Sequence, residues 1–181
     1  EAIYIADNSK NITIANNDLE GIKLMSNLDT VMITDNLIHD SLTMGIHAGT
    51  DNNDVKIIGN EIFDNSLPQK ETGDYGYEGI YVHENLTDLI IKDNLIRDNF
   101  GQGILLNRNT EAVIANNEIK NNSYSGIRVG SGSKVQIKNN LIEENAYTLD
   151  GSAESTEIYV RGLSIIKSEA VIKNNFISQN E

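Results

Sequence analysis

One asparagine-based element recurs along this chain and restricts the folds open to it. The element is an Asn, an apolar pair, and a second Asn five residues after the first. The first Asn occurs at Asn17, Asn36, Asn60, Asn94, Asn117, Asn140 and Asn175. The second occurs at Asn65, Asn99, Asn122, Asn145 and Asn180; the copies at Asn17 and Asn36 match at the first position only. Successive first positions differ by 19, 24, 34, 23, 23 and 35 residues, so the basic period is about 23. A fixed period of this length is typical of stacked repeats.

The two long intervals indicate insertions. One covers Ser66–Glu78 and the other Ala146–Thr156. Because a stacked repeat can accept extra chain only outside its coil, we expect both to project as loops, with Ser66–Glu78 overhanging His83.

Two short patterns with the alternation of strands recur between the asparagines. Gly-Ile steps lie at Gly21-Ile22, Gly45-Ile46, Gly79-Ile80, Gly103-Ile104 and Gly126-Ile127, and Glu157-Ile158 is expected to replace them in the last coil. Alternating triplets precede the asparagines at Ile12-Thr13-Ile14, Val31-Met32-Ile33, Val55-Lys56-Ile57 and Val135-Gln136-Ile137. Short strands that recur at one interval must stack in parallel, about 4.8 Å apart, with the rest of each coil as the crossover.

These patterns predict an all-β fold, a right-handed parallel β-helix of about seven coils of about 23 residues. Right-handedness follows from the chirality of parallel crossovers. Ile22, Ile46, Ile80, Ile104 and Ile127 should form one interior column. The repeated Asn suits either a left-handed backbone conformation or a ladder of side-chain amides. A β-sandwich also has short regular strands, but it gives no reason to repeat Asn at one offset.

Composition favours one continuous β-helix domain over residues 1–181. Apolar residues make up 39% and aromatic residues 6%, which predicts an aliphatic core. The absence of cysteine excludes disulfides, zinc–thiolate sites and thiol nucleophiles. No apolar run approaches the ~18 residues of a membrane span, so no membrane partner is expected. The pattern is in phase by Ile3, so we expect a fragment of a longer protein, with adjoining domains or caps over its ends.

The net charge of −13 argues against non-specific binding to nucleic acid. The outward residues of the Gly-Ile strands should stack in two columns. The first column reads Lys23, His47, Tyr81, Leu105, Arg128 and Tyr159. The second reads Met25, Gly49, His83, Asn107, Gly130 and Arg161, with Glu84 and Arg108 at the strand edge. The first insertion brings Tyr75 and Tyr77 beside this sheet.

A basic and aromatic surface on an otherwise acidic chain suits an acidic polysaccharide as partner. Arg can hold a carboxylate through two hydrogen bonds, and Tyr can stack on a sugar ring. Alternatively, outward strand positions simply favour long polar and aromatic side chains. The substrate-binding residues predicted are His47, Tyr75, Tyr77, Glu84, Asn107, Arg108, Arg128, Tyr159 and Arg161.

Part of the chain resembles a known enzyme family. The stretch from Glu78 to Glu84, continuing through Leu89–Asn94 to Asn99, resembles the catalytic coil of the mannuronan (alginate) C5-epimerases, which share the pectate-lyase-like solenoid. Gly126–Val129 and Val135–Asn140 are similar to a later coil, and the resemblance covers about Gly45 to Asn145. It implies action on a polyuronate, either epimerisation or elimination, and an extracellular or cell-surface location.

The family signature Tyr-Gly-Phe-Asp-Pro-His aligns in the coil register with its His on His83, its Asp on Tyr81 and its Tyr on Glu78. A second catalytic Asp of the family falls on Asn107, so both Asp positions are replaced. A gapped alignment matches Tyr75-Gly76-Tyr77-Glu78 to the start of the signature, but it breaks the register. The family's calcium-binding nonapeptide repeats are absent.

The resemblance and the residue types together give candidate roles. His83 would be the base, Tyr81 the acid, and Arg108, Arg128 or Asn107 would neutralise the substrate carboxylate. An ordinary exposed His is the alternative for both His83 and His47. No cofactor is required; Asp51 and Asp54 could bind calcium, but a solvated Asx-rich turn is favoured. A non-catalytic β-helix, for carbohydrate binding or surface structure, is the second hypothesis for the whole chain.

Overall fold

Three parallel sheets form the molecule. The structure is a computed structural model that describes residues 2–65, 77–146 and 162–180. Sheet A contains β1 (Ile3–Ile5), β4 (Ile22–Leu24), β7 (Ile46–Ala48), β10 (Ile80–Glu84), β13 (Ile104–Arg108), β16 (Ile127–Val129) and β19 (Leu163–Ile165). Sheet B contains β2 (Lys10–Ala15), β5 (Asp29–Thr34), β8 (Asn53–Ile58), β11 (Leu89–Lys92), β14 (Glu111–Ala115), β17 (Lys134–Lys138) and β20 (Glu169–Lys173). Sheet C contains β3 (Asp18–Leu19), β6 (Leu37–His39), β9 (Glu61–Phe63), β12 (Leu95–Arg97), β15 (Glu118–Lys120), β18 (Leu141–Glu143) and β21 (Phe176–Ser178).

Each coil takes one strand from each sheet in the order A, B, C, and every strand pairs in parallel with its equivalent one coil away. The chain is therefore a parallel β-helix of seven coils over the described residues, as the repeat predicts. The Gly-Ile pattern forms sheet A, the alternating triplets form sheet B, and the apolar pairs after Asn form sheet C.

The interior is filled by aliphatic columns that run from coil to coil. Ile22, Ile46, Ile80, Ile104 and Ile127 stack in register and are at most 1% exposed, which confirms the predicted column. Sheets B and C supply similar columns, such as Ile33–Ile57–Ile91–Ile114–Ile137. Each fully buried Ile contributes about 1.5–3 kcal/mol of hydrophobic stabilisation.

The last coil differs from the sequence-based expectation. Leu163, not Ile158, pairs with Ile127, and the Ile127 amide donates to the Gly162 carbonyl. Glu157-Ile158 therefore does not replace the Gly-Ile step. The step is Gly162-Leu163, which the sequence pattern missed because it carries Leu where earlier coils carry Ile.

The ladder interpretation of the repeated Asn is confirmed, whereas the left-handed interpretation is wrong for these residues and applies to the residue before each of them. The Asn side chains form ladders: Asn94 Oδ1 accepts from both nitrogens of Asn60, and Asn94 Nδ2 donates to Asn117 Oδ1 at 3.0 Å. The residue immediately before each ladder Asn has positive φ. For the ladder from Asn17 to Asn175 these residues are Asn16, Asp35, Gly59, Asp93, Asn116, Asn139 and Asn174.

A second ladder joins Asn65, Asn99, Asn122, Asn145 and Asn180 at the corner between sheets C and A. Its preceding residues, Asp64, Asp98, Asn121, Glu144 and Gln179, also have positive φ. Each corner thus combines a left-handed residue, which turns the chain, with a buried amide, which bonds neighbouring coils.

The end coils bury less apolar surface than the middle ones. Val171, Ile172, Phe176 and Ile177 are exposed, whereas Ile3 and Ile5 are partly buried against the core. The described residues contain no helix long and apolar enough to cross a membrane.

Candidate functional site

The outward residues of sheet A form the predicted first column. Lys23, His47, Tyr81, Leu105 and Arg128 follow one another in register, one per coil. The sixth place is taken by Ser164, which pairs with Arg128. The register predicted for Tyr159 and Arg161 is therefore wrong, since both precede β19. Tyr75, Tyr159 and Arg161 lie outside the described residues, and their binding role stays a prediction.

The second column carries fewer side chains than the first. Met25, His83 and Asn107 contribute side chains, whereas Gly49 and Gly130 leave no room for one. A Cβ at Gly130 would meet the Asn107 carbonyl oxygen at 1.5 Å, and one at Gly49 would meet the Met25 carbonyl oxygen at 2.7 Å. The glycines thus let the backbone approach closely on either side of His83 and Asn107. We call the outward surface of both columns the sheet A face.

Three rings meet on the sheet A face. The ring centroids of His47 and Tyr81 are 5.3 Å apart on successive coils. Those of Tyr81 and His83 are 5.9 Å apart on one strand, with the rings edge to face. The structure therefore brings together two predicted catalytic residues and one predicted binding residue.

His83 is held by packing rather than by a strong hydrogen bond. Its side chain is 42% exposed, and its Nδ1 lies 3.9 Å from Glu84 Oε1. Nδ1 is shielded from solvent and has no hydrogen-bond partner within the described residues. A catalytic base is usually oriented by a third group, and such contacts are often long in the absence of substrate. Glu84 is placed to become that group.

The two described arginines of the sheet A face differ in their partners. Arg108 Nε lies 3.5 Å from Glu84 Oε2 and its side chain is 58% exposed, so this ion pair contributes little to stability, about 0–1 kcal/mol. Arg128, one coil further, has no carboxylate within ion-pair distance among the described residues. Arg128 is therefore the better placed cation for an incoming anion.

Glu78 is a buried carboxyl group to which the alignment in the coil register gave no role. It precedes Gly79 at the start of the coil that carries Tyr81 and His83, and it is 6% exposed. Its Oε2 accepts the Tyr77 amide at 2.9 Å. Burial raises the pKa of Glu78, while the amides of Glu78 and Tyr77 and the charge of Arg128 oppose this rise. The gapped alignment through Tyr75-Gly76-Tyr77-Glu78 was the signal that could have found it.

Tyr77 packs at the corner where the chain enters sheet A. Its ring lies edge-on to Phe100, with centroids 5.7 Å apart. A Cβ at Gly101 would meet the Tyr77 backbone at 2.5 Å, so Gly101 allows the next coil to approach this segment. Tyr77 therefore packs at the start of the coil that carries Tyr81 and His83, and its binding role stays a prediction.

Tyr81 is suited to give a proton rather than to remove one. Burial raises the pKa of Tyr81, and the nearby Glu78 and Glu84 carboxylates raise it further, while Arg108 lowers it. The phenol therefore remains protonated at neutral pH, as a general acid requires.

The two residues predicted as calcium ligands are engaged within the fold. Asp51 Oδ1 accepts the Asn85 side-chain amide at 3.1 Å, and Asp54 Oδ1 accepts the Lys56 ammonium at 2.6 Å. Both have positive φ, which fits an Asx-rich corner. Across the described ranges, no group of three or more His, Asp or Glu side chains is arranged to hold a metal ion. Calcium at this corner stays a prediction.

An open groove of about 730 Å³ lies on sheet B rather than on sheet A. Its floor is formed by Ile90 and Val113, and its edge by charged residues such as Glu111 and Lys134, which are 3.5 Å apart. Its lining contains carboxylates and lysines but no histidine or tyrosine.

Comparison with known proteins supports the fold. The family model described as "Right handed beta helix region" matches residues 1–142. No curated protein matches this chain in sequence. Among solved structures, the A-module of the Azotobacter vinelandii mannuronan C-5 epimerase AlgE6 is similar, with a TM-score of 0.56 and 15% identity over 94% of this chain and 62% of that one.

The A-module of AlgE4 from the same organism gives a TM-score of 0.47 and 16% identity over 94% of this chain and 60% of that one. The chain therefore spans about 60% of the length of each module. Similarity at this identity concerns the fold alone. The match over residues 1–142 is the finding that assigns the family. The chain belongs to the right-handed β-helix family.

Proposed function

We propose that the sheet A face binds an acidic polysaccharide of uronic acid units and acts on it as a C5-epimerase or lyase. The observation that carries the proposal is the contact of His47, Tyr81 and His83 on the face that also holds Arg128, in a chain of net charge −13. The net negative charge of the chain would repel an anionic polymer, and cations such as Arg128 on this face would oppose that repulsion. The solved modules that share the fold belong to enzymes named for mannuronan, which is such a polymer.

The proposed chemistry begins with removal of the proton at C5 of a uronate. Arg128 and Arg108 hold the substrate carboxylate and stabilise the negative charge that develops on it. His83 takes the C5 proton, and the electron pair moves into the carboxylate to give an enolate-like intermediate. Asn107 and Glu84 complete the polar surroundings of His83.

The intermediate then has two outcomes. In epimerisation, a proton returns to C5 from the opposite face of the ring. In elimination, the C4–O bond breaks, a C4–C5 double bond forms, and Tyr81 protonates the leaving oxygen. Tyr81 is protonated at neutral pH and can therefore donate in either outcome, while its raised pKa lowers its strength as an acid.

A second function, binding without turnover, follows from the resemblance to the epimerases. In that alignment Tyr81 and Asn107 would occupy the two positions where the family carries Asp. Without these carboxylates the face would still bind a polyuronate through Arg128 and the aromatic rings. The chain would then serve as a carbohydrate-binding or surface-structural module of a larger protein. Either function places the protein outside the cell or on its surface, where such polymers occur.

Incubation with polymannuronate at low salt distinguishes these functions. Proton NMR reports the conversion of mannuronate to guluronate, and ultraviolet absorbance reports unsaturated ends from elimination. Isothermal titration calorimetry on the same samples reports binding. Binding without either product supports the module. No affinity for any uronate polymer would reject the carbohydrate proposal and leave a structural β-helix.

A further inference from the structure

A histidine on sheet C, remote from the sheet A face, contacts one carboxylate on the preceding coil and one on its own coil through its two ring nitrogens. His39 Nε2 lies 2.8 Å from Asp18 Oδ1 on the preceding coil, and His39 Nδ1 lies 2.8 Å from Asp40 Oδ2. An ionised carboxylate only accepts hydrogen bonds, and a neutral imidazole carries a single N–H. Both contacts can therefore be hydrogen bonds at once only when His39 is a protonated imidazolium.

The contacts of His39 continue along sheet C towards the coil of the candidate site. Its ring stacks on Phe63, with centroids 5.0 Å apart and planes 23° from parallel. The Arg97 guanidinium lies 4.3 Å from the centroid of Phe63 and is bonded to Glu61 and Asp98, each at 2.7 Å. Asp18, His39, Phe63 and Arg97 thus link four successive coils, and Arg97 belongs to the coil that carries Tyr81 and His83.

The charged groups around His39 are predominantly acidic. Asp18 comes from β3 and Asp40 from the corner after β6, while the neighbouring coil supplies Glu61 on β9 and Asp64 just after it. The cation on that side, Arg97, is neutralised by its own two carboxylates. The surroundings therefore favour the charged form of the imidazole. In agreement, Asp40 and then Asp18 raise the pKa of His39, with burial acting in the opposite direction.

We propose that His39 is a pH-sensitive clamp that, as an imidazolium, ties the second coil to the first through Asp18 while Asp40 holds its other ring nitrogen. Deprotonation leaves one N–H for two carboxylates, so one of the two bonds is lost. The clamp stands independently of the carbohydrate function, since none of its residues lies on the sheet A face.

The direction of the pH effect follows from the sign of the pKa change. The folded-state pKa of His39 is raised above its ordinary value of 6.5. The clamp's stabilisation is therefore complete below pH 6.5 and is lost as the pH rises through the folded-state pKa. Asp18 and Asp40 are largely exposed, so screening limits the effect to a several-fold change in the unfolding equilibrium constant.

Two measurements test the clamp. The pKa of His39 is read from NMR titration of its ring protons in the folded chain. Urea unfolding below and above that pKa is then compared for the wild type and for His39→Gln. Across this pH range, we expect the equilibrium constant for unfolding of the wild type to increase. The factor should equal the acid dissociation constant of His39 in the unfolded state divided by that in the folded state. His39→Gln should lose this dependence, and the control His83→Gln should keep it.

Asp18→Asn provides a milder variant. It should lower the His39 pKa and weaken the pH dependence without abolishing it. Should His39→Gln fail to fold, the wild-type titration and Asp18→Asn decide the matter. A folded His39 that titrates at or below its ordinary pKa, or a His39→Gln chain with wild-type pH dependence, would overturn the clamp.

Discussion

At the residue scale, His83 and Arg128 share one face but should differ in what they contribute. A base acts mainly in the transition state, whereas a carboxylate-binding cation acts in both the bound and the transition state. His83→Gln should leave polyuronate affinity nearly unchanged and abolish any turnover. Arg128→Gln should weaken binding by about 1–3 kcal/mol, because it removes a charge-assisted hydrogen bond. Calorimetry and product NMR on the same variants measure the two effects.

Lys134→Gln is the matched control for Arg128→Gln. It removes one positive charge from sheet B, where Lys134 pairs with Glu111, and so alters the net charge equally. Added salt should weaken wild-type binding, since exposed contacts are screened within about 8 Å at physiological ionic strength. Equal losses of affinity for the His83, Arg128 and Lys134 variants would contradict the division of roles.

Glu78 gives a second prediction at this scale. Because burial raises its pKa, ionisation of Glu78 disfavours the folded state as the pH rises above about 4.5. Glu78→Gln removes that cost and should stabilise the chain at neutral pH by about 1 kcal/mol. If the carboxyl group of Glu78 contributes to catalysis, Glu78→Gln should also lower any turnover. Thermal unfolding across the acid range checks the prediction; a variant less stable than wild type at neutral pH would count against it.

The outward position of His83 could be predicted from the sequence, whereas the burial of Glu78 could not. Alternation along β10 correctly placed Tyr81 and His83 outward. Glu78 lies at a corner, where alternation no longer reports which side a residue faces. Its burial depends on contacts made in the folded chain, which a single sequence does not encode locally.

At the element scale, the asparagine ladders should be worth more in the middle of the solenoid than at its end. Asn94 accepts from both nitrogens of Asn60 and donates to Ile57 and Asn117. Asn94→Leu removes these four bonds and leaves the buried Asn60 backbone amide without its acceptor, so stability should fall by about 1–3 kcal/mol for that group alone. Asn175→Leu, at the exposed end of the same ladder, is the control. Urea unfolding of both variants measures the difference, and equal losses would refute it.

The elements themselves were largely predictable because each rests on a local pattern. The Gly-Ile steps and the Asn spacing predicted the coils and the register from Ile22 to Ile127. The Gly-Ile step of the last coil was predicted at Glu157-Ile158 because that pair contains the expected Ile. The step lies at Gly162-Leu163, which contains Leu instead. The pattern also did not separate the left-handed Asp93 from the ladder residue Asn94, since both side chains suit corners.

At the scale of the whole molecule, stability should follow position along the axis, because each coil contacts only its neighbours. Ile114, Ile137 and Ile172 are stacked in register, but Ile114 is fully buried and Ile172 is 49% exposed. Ile114→Ala should cost about 2–5 kcal/mol and Ile172→Ala less than about 1 kcal/mol. Hydrogen exchange should likewise be slowest in β8, β11 and β14 and fastest in β19–β21. Uniform protection along the axis would be inconsistent with this gradient.

The corner between sheets C and A has a consequence for how such a chain can diversify. Residues 66–76 and 147–161 each fall between a strand of sheet C and the next strand of sheet A. The corner between sheets B and C, in contrast, keeps its short turn and ladder Asn in every coil. Residues added at the corner between sheets C and A would leave the stacked columns unchanged and would lie beside the sheet A face. Ligand preference could therefore be retuned by lengthening or exchanging these segments while the scaffold stays constant, much as antibodies vary loops on a fixed framework.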